Sequence, residues 1–271
     1  MNSVKKTTEI NSLKIAYLDN EVQSDKTLVF IHGNSMDSKG FKNQFNSSDL
    51  NKFRLLALDF PGHGNSEKTN SYSVIQFIDV ISSFCSRLKL QNFIIAGHSL
   101  GGHFAMQSLP KLVGCNGAFI FGAPPIKTPL NLDEAFLPHP VMPLLFKKDL
   151  NHEDMDLFAK SVTCNKNELY IKESIKTTDS DFREQLVLSI QNGDMVNEVA
   201  ILKNLIFPIA LLCGKNDVLV NTDYIKNLSM PTLWQNKLIL IEDASHCPHL
   251  ENPEVLNKLL VEFTKFCNKI V

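Results

Sequence analysis

The sequence predicts an α/β fold, with a largely parallel β-sheet and helices on both faces of that sheet. Short apolar runs of β-forming residues alternate with helical patterns in the first half of the chain, and the alternation resumes after residue 206. Such β-α-β alternation is typical of parallel sheets. Residues 124–205 instead carry helical patterns and no convincing strand, and a stretch of about 80 residues is too long for one crossover. We therefore predict a core domain (1–123 and 206–271) with an inserted helical cap (124–205).

The predicted elements of the core are short apolar runs bounded by turn residues. VKKTTEI and LKIAYLD flank Asn11-Ser12 as a hairpin. Further strands are predicted in KTLVFIHG, KFRLLALDF, NFIIAGH, GAFIFGA, FPIALLCG and KLILIED. Core helices are predicted at 38–46, in SVIQFIDVISSFCSRLKL, at 100–109 and in NPEVLNKLLVEFTKFCNK. The cap begins with the proline-rich PPIKTPLNLDEAFLPHPVMP, and its helical patterns cover 151–163, 165–176, 180–191 and 194–204.

Composition and charge exclude several classes of protein. The chain has 271 residues, 44% of them hydrophobic, and a net charge of −2, so we expect no nucleic-acid partner and no polybasic membrane patch. The N-terminus lacks the apolar segment of a signal peptide, and LIFPIALLC is too short to span a membrane. The six cysteines are scattered without a Cys-x-x-Cys pair, which favours reduced thiols in a cytoplasmic protein over disulfides or a zinc site.

The stretch NFIIAGHSLGGHFAMQSL, residues 92–109, places a serine on an abrupt corner between a β run and a helical pattern. A serine hydroxyl is a nucleophile only when a base removes its proton. A sharp strand-to-helix turn, with Gly97 two residues before Ser99 and Gly101 two residues after it, exposes the hydroxyl to such a base. Gly-Ser pairs are also common turn material, but the flanking patterns favour Ser99 as a nucleophile.

Two backbone N–H groups are predicted to stabilise a developing oxyanion. One belongs to Leu100, at the positive end of the helix that follows Ser99. The other belongs to Asn34 in VFIHGNS, where Gly33 lets the backbone turn close to a substrate. The alternative is that His32-Gly33-Asn34 forms an ordinary turn. The side-chain amide of Asn34 is not expected to take part.

Eight histidines are candidates for the general base, at positions 32, 63, 98, 103, 139, 152, 246 and 249. His246 follows the last predicted strand, so it lies at the carboxyl edge of the sheet, where α/β proteins form their sites. His249 is the main rival, but the proline between the two favours a packing or capping role. His98 is expected to point back into the sheet, and His103 to pack within its helix. We therefore predict His246 as the base.

The acid that orients this histidine is predicted to be Asp217 in ALLCGKNDVLV, just past its strand. The residues then run in the order Ser99, Asp217, His246, which is the order expected of this fold. Asp223 and Asp243 are rivals. Asp223 is expected in the following helix, and Asp243 is too near His246 along the chain to come from a separate loop.

Together these motifs resemble the α/β-hydrolase family. IHGNS, DFPGHGNS, GHSLGGH, GAPP, PIALLCGKNDVLV and SHCPHLENPE occur in family order and spacing over nearly the whole chain. The resemblance implies an eight-stranded, mostly parallel sheet with a helical cap inserted after the sixth strand. The cap and TLWQNK are loosely similar to bacterial hydrolases that open N-acyl-homoserine lactones. Epoxide hydrolases and haloalkane dehalogenases resemble this layout but carry an aspartate where this chain has Ser99.

The expected reaction is the hydrolysis of an ester or a lactone, with Ser99 as nucleophile, His246 as base and Asp217 as orienting acid. No metal or organic cofactor is needed. The substrate is expected to be a small molecule with an apolar acyl group. Four aromatic residues of the cap are predicted to contact it: Phe136, Phe146, Phe158 and Tyr170.

Two other classes of function stay open. A hydrolase scaffold can act as a small-molecule receptor, because fold and site are separable. The same triad can also carry out other acyl chemistry, such as perhydrolysis or carbon–carbon bond cleavage. Trp234 and Glu251 lie near the site along the chain. For both, a structural role is at least as well supported as a role in the site.

Overall fold

The computed structural model describes residues 3–164 and 167–269. Eight strands form one sheet in the order β1-β2-β4-β3-β5-β6-β7-β8. β2 pairs antiparallel with β1 and β4, and the other neighbours are parallel, so the predicted fold class is confirmed. The strands are β1 (Val4–Ile10), β2 (Leu13–Asp19), β3 (Thr27–Ile31), β4 (Arg54–Leu58), β5 (Phe93–His98), β6 (Cys115–Phe121), β7 (Ile209–Gly214) and β8 (Ile239–Ile241).

Helices flank the sheet and fill the segment between β6 and β7. Those of the core are α1 (Lys42–Phe45), α2 (Val74–Arg87), α3 (Leu100–Ser108), α9 (Thr222–Lys226), α10 (Pro248–Glu251) and α11 (Pro253–Cys267). Those between β6 and β7 are α4 (Leu132–Ala135), α5 (His152–Val162), α6 (Glu168–Thr177), α7 (Asp181–Gln191) and α8 (Glu198–Lys203). The first two residues of the helix predicted at 165–176 lie outside the described residues. Within the described part, no helix combines the length and the apolar character needed to cross a membrane.

The central strands are continuous apolar runs because both faces of the sheet are buried. In β3, Val29 and Ile31 belong to the apolar cluster that contains side chains of α2 and α3. Leu28 and Phe30 alternate with them and belong to the cluster that contains side chains of α1 and α11. The two periodic faces of one strand therefore build the two layers of the core.

Local sequence explains the first hairpin and the start of α2. Asn11 and Ser12 have φ values of 50° and 63°, which suits the tight turn that matches the twist of paired strands. Ser73 caps α2 by accepting a hydrogen bond from the backbone N–H of Gln76. The hairpin at Asn11-Ser12 was predicted from the sequence.

The segment between β6 and β7, residues 124–205, is named here the helical insertion. Its described residues form helices and turns, apart from an isolated bridge between Phe136 and Val220. Phe158 and Ile171 of the insertion share an apolar cluster with Met36, which lies in the loop after β3. The insertion therefore packs on the loops at the carboxyl edge of the sheet.

All six cysteines lie in the described part of the chain and are unpaired. Five are buried, and Cys164 is exposed. Burial raises the pKa of buried thiols such as Cys85 and Cys115. They therefore act as small apolar groups, as their scattered positions indicate.

Candidate active site

The chain turns sharply between β5 and α3, and Ser99 occupies the corner with φ 50° and ψ −124°. Non-glycine residues rarely adopt positive φ, and such strain clusters at functional turns. The neighbouring positions have no room for a side chain. A Cβ on Gly97 would lie 2.7 Å from Cα of Gly102. A Cβ on Gly101 would lie 2.2 Å from the carbonyl oxygen of His32. The small residues therefore allow the turn that exposes Ser99.

Replacing Gly101 with alanine is expected to lower the free energy of unfolding by about 1–3 kcal/mol. An alanine inside a helix normally stabilises it by comparison with glycine, but here the added methyl group meets the backbone of another strand end. Denaturant unfolding of the two proteins measures the difference. A variant as stable as the parent, or more stable, would contradict this account of the turn.

The side chains of Ser99, Asp217 and His246 meet at the carboxyl edge of the sheet. They follow β5, β7 and β8, and parallel strands end at the same edge. Nε2 of His246 lies 2.8 Å from Oγ of Ser99, and Nδ1 lies 2.8 Å from Oδ2 of Asp217. A carboxylate only accepts, so Nδ1–H donates to Asp217, and Nε2 is left to accept the proton of Ser99.

The Asp217 carboxylate is buried and hydrogen-bonded through both oxygens. Oδ1 accepts from the N–H groups of Leu219 at 2.8 Å and Val220 at 3.2 Å. Burial alone would raise the pKa of Asp217, but His246 and the N–H of Leu219 outweigh burial and hold the pKa below its ordinary value. Burial would lower the pKa of His246, and the Asp217 charge raises it above its ordinary value. Asp217 therefore stays ionised and stabilises a protonated His246.

Asn34 and Leu100, whose backbone N–H groups are predicted to stabilise an oxyanion, line the cavity beside Ser99. Leu100 begins α3, and the first N–H groups of a helix have no acceptor within it. Among the hydrogen bonds of the described residues, the N–H of Asn34 has no acceptor. The Asn34 side chain is occupied, because Nδ2 donates to the carbonyl of Leu145 at 2.9 Å and Oδ1 accepts from Ser35 at 2.7 Å. The N–H groups, and not the amide, are available to an oxyanion.

A buried arginine of the helical insertion holds the loop that carries Asn34. Arg183 in α7 is 2% exposed, and its guanidinium donates to the carbonyls of Lys147 at 2.7 Å and Lys148 at 2.6 Å. It also donates to Oγ of Ser35 at 2.9 Å, and Ser35 donates to Asn34. Direct hydrogen bonds thus couple the insertion to the Asn34 loop.

The rival histidines His98 and His249 lie behind His246. Nε2 of His98 donates to the carbonyl of His246 at 2.8 Å. Burial holds the pKa of His98 well below its ordinary value and lowers the pKa of His249 to about 3, so both rings are neutral. Their nitrogens and Sγ of Cys247 lie within 4.8 Å of one another, a donor set of the kind that binds metals. The hydrogen bond to His246 gives His98 a supporting role instead.

The rival carboxylates lie apart from His246. Asp223 is exposed in α9 and pairs with Lys226 at 2.8 Å. Asp243 is exposed and has φ 53°. The carboxylate in contact with His246 is that of Asp217.

Glu251 accepts hydrogen bonds from the backbone on both sides of His246. Its carboxylate accepts from the N–H groups of Ser245 at 2.8 Å and Cys247 at 3.2 Å. It also accepts from the N–H of Cys164, in the helical insertion, at 2.8 Å. Sequence analysis gave Glu251 no specific role. Its position four residues after Cys247 was the one indication that its side chain could reach the loop of His246. Glu251 therefore joins the His246 loop to the insertion.

Replacing Glu251 with glutamine is expected to shift the pH dependence of kcat/KM to lower pH. Burial lowers the pKa of His246 and Asp217 raises it, and the Glu251 charge raises it further. Without that charge, His246 loses its proton at lower pH, and a base is active in its neutral form. A pH–rate profile of both proteins measures the shift. A profile that stays in place or moves to higher pH would contradict this electrostatic role.

An apolar cavity lies over Ser99 and His246, between the sheet edge and the helical insertion. Phe136, Phe146 and Phe158 of the insertion line it, as do residues of α3. Three of the four aromatic residues predicted to contact substrate are therefore brought to the cavity.

The structure does not bring Tyr170, the fourth predicted substrate-binding residue, to this cavity. Tyr170 is not among the residues that line the cavity. Its hydroxyl lies 3.1 Å from both the carbonyl oxygen and Oδ1 of Asp37, and it accepts the Asp37 N–H at 3.3 Å. A tyrosine hydroxyl that is buried needs such partners, and Asp37 provides them away from the cavity. Tyr170 therefore ties α6 to the loop after β3.

The fold and this site define a class of protein. A model of the alpha/beta hydrolase family matches residues 28–259, and the chain belongs to that family. Among the curated relatives is a presumed esterase/lipase of Mycoplasma genitalium, 25% identical over 247 residues, or 87% of each chain. Another is the AB hydrolase superfamily protein YisY of Bacillus subtilis, 23% identical over 257 residues, or 90% of this chain and 93% of YisY.

Among solved structures, the fold matches the N-acyl homoserine lactonase AidH. A mutant of AidH in complex with N-hexanoyl homoserine lactone superposes with a TM-score of 0.92, at 25% identity, over 99% of each chain. AidH in complex with N-butanoyl homoserine gives a TM-score of 0.91, at 26% identity, over 98% of this chain and 97% of AidH. The chain is thus an alpha/beta hydrolase similar to esterases and a lactonase.

Proposed function

We propose that this chain is a serine hydrolase that cleaves a carboxylic ester or lactone through an acyl-enzyme intermediate. The observation that carries the proposal is the continuous series of hydrogen bonds from Asp217 through His246 to Ser99, beneath an apolar cavity. Nucleophile, base and orienting acid are the groups that acyl transfer requires. The relatives named as esterase/lipase and lactonase belong to the same reaction class.

In the first step, Oγ of Ser99 attacks the substrate carbonyl carbon while Nε2 of His246 takes the hydroxyl proton. The N–H groups of Asn34 and Leu100 stabilise the tetrahedral oxyanion, and loss of one such donor costs about 3 kcal/mol in related sites. The intermediate collapses, the carbon–oxygen bond to the alkoxide breaks, and His246 protonates the alkoxide. In a lactone, the alcohol formed stays attached to the acyl group.

In the second step, water attacks the acyl-enzyme carbonyl. Nε2 of His246 takes a proton from this water, the same two N–H groups stabilise the second oxyanion, and the bond to Oγ of Ser99 breaks. His246 returns its proton to Ser99, and the carboxylic acid leaves. Asp217 keeps the imidazole in the required tautomer throughout.

The lining of the cavity supports the proposed substrate class. Its lining is mostly apolar and includes the aromatic rings of Phe136, Phe146 and Phe158, which suits an apolar acyl group of small or medium size. Because the matched lactonase binds N-hexanoyl homoserine lactone, we include N-acyl-homoserine lactones among the proposed substrates.

A substrate panel tests this function. Initial rates are measured for p-nitrophenyl esters from acetate to decanoate and for N-acyl homoserine lactones of increasing chain length. We expect hydrolysis, with medium acyl chains preferred over acetyl because they fill the apolar cavity. A folded protein that hydrolyses none of these esters and lactones would overturn the proposal.

A further inference from the structure

The cavity contains one polar side-chain atom that the proposed reaction leaves unused. Four polar side chains line the described cavity: Asn34, Ser99, His103 and His246. Ser99 and His246 bond each other, and both polar atoms of the Asn34 amide are occupied. His103 uses only Nδ1, and its Nε2 has no partner among the hydrogen bonds of the described residues. Among the side chains of the described lining, the remaining polar contact for a ligand is therefore Nε2 of His103.

A buried carboxylate of the helical insertion holds His103. Nδ1 of His103 lies 3.1 Å and 3.0 Å from the two carboxylate oxygens of Glu198, whose side chain is fully buried. Glu198 also accepts from Nε2 of Gln107 at 2.7 Å and from the N–H of Ile126 at 2.9 Å. Burying a charge without such donors is costly. These hydrogen bonds orient the His103 ring, which lines the cavity and has its centroid 5.9 Å from that of Phe136.

The hydrogen bonds also set what Nε2 can bind. A carboxylate only accepts, so the proton of the neutral ring lies on Nδ1, and Nε2 presents a lone pair. Nε2 of His103 therefore accepts a hydrogen bond from a donor of the ligand.

We propose that His103 recognises an N–H group of the substrate close to the reacting carbonyl, which selects N-acylated α-amino lactones or esters. This inference rests on the proposed hydrolase function. His103 follows Ser99 by four residues, its backbone N–H donates to the carbonyl of Ser99 at 3.1 Å, and both residues line the cavity. A group bound by His103 therefore lies a few bonds from the carbonyl bound by Ser99. The amide N–H on the α-carbon of an N-acyl amino lactone meets this condition.

The test compares two lactones of matched shape. One is N-hexanoyl homoserine lactone, and the other is its carba analogue, in which a CH₂ group replaces the amide N–H. For each protein the readout is the ratio of the two kcat/KM values, so differences in the amount of folded protein cancel. We expect the parent protein to prefer the N–H lactone by about tenfold to a hundredfold, because a site built for a hydrogen bond discriminates against an analogue that lacks it.

The decisive variant is His103→Asn. Asparagine keeps an N–H near the position of Nδ1 for Glu198 but removes Nε2, so the preference should fall to within about threefold of unity. Ser108→Ala is the matched control, because Ser108 lies in the same helix, but its hydroxyl donates to the carbonyl of Phe104 and is not part of the cavity lining. Ser108→Ala should keep the preference of the parent.

Each other outcome has a separate meaning. A parent protein without the preference, or a preference that survives in His103→Asn, would overturn the role of His103 and leave the hydrolase function intact. A preference lost equally in Ser108→Ala would show that any change in this helix removes it, and would reduce His103 to a packing residue. Hydrolysis of p-nitrophenyl hexanoate but of neither lactone would overturn the substrate class alone. If no ester or lactone is hydrolysed, the proposed function itself fails.

Discussion

Replacing Ser99 with alanine is expected to lower kcat/KM for ester and lactone hydrolysis by about 10⁴-fold or more. The change removes the hydroxyl that lies 2.8 Å from Nε2 of His246, so no acyl bond to residue 99 can form. The N–H groups of Asn34 and Leu100 would remain and support only slow attack by water. Initial rates with p-nitrophenyl hexanoate measure the loss.

Ser108→Ala is the matched control for this prediction. Ser108 also lies in α3, but its hydroxyl donates to the carbonyl of Phe104 and is not part of the cavity lining. The control should keep its activity, and both variants should unfold at similar denaturant concentrations to the parent. A folded Ser99→Ala protein with most of its activity intact would assign the nucleophile elsewhere.

The second large effect is expected for Asp217→Asn, with a loss of about 10⁴-fold near neutral pH. Asparagine fits the same space and can still accept the N–H groups of Leu219 and Val220 through Oδ1. Its NH₂ group then faces Nδ1 of His246, which favours the tautomer with the proton on Nε2. That tautomer cannot take the proton of Ser99. The kcat and KM values of the variant measure the effect, which should fall mainly on kcat.

Asp243→Asn provides the control for the loss of one carboxylate. Asp243 is exposed and has positive φ, a conformation that asparagine tolerates. We expect its activity to match that of the parent. Near-normal turnover by Asp217→Asn would instead move the orienting role to another carboxylate.

Much of the fold and the proximity of the proposed triad could be predicted from sequence, because both depend on local patterns. Apolar β runs mark the strands, and the turn residues after them mark the loops that carry Ser99, Asp217 and His246. Parallel strands deliver such loops to one edge of the sheet. The topology therefore brings the three side chains close enough for two hydrogen bonds, each 2.8 Å long.

The contacts of the helical insertion could not be predicted in the same way. Glu198 bonds His103 across 95 positions, and Arg183 bonds Ser35 across 148. No periodicity relates such pairs, since they depend on how the insertion docks on the core. For the same reason Tyr170 was assigned to the cavity by its aromatic character, although its hydroxyl bonds Asp37. Composition indicates an apolar insertion but does not say which face meets the substrate.

Covalent labelling by a fluorophosphonate tests the central claim most directly. The reagent forms a stable bond to a serine only where a base activates its hydroxyl and N–H groups hold the phosphoryl oxygen. We predict one adduct per chain, mapped by peptide mass spectrometry to Ser99, with strongly reduced labelling of His246→Ala. No adduct on the folded protein, or an adduct on another residue, would contradict the assignment of Ser99 as the nucleophile.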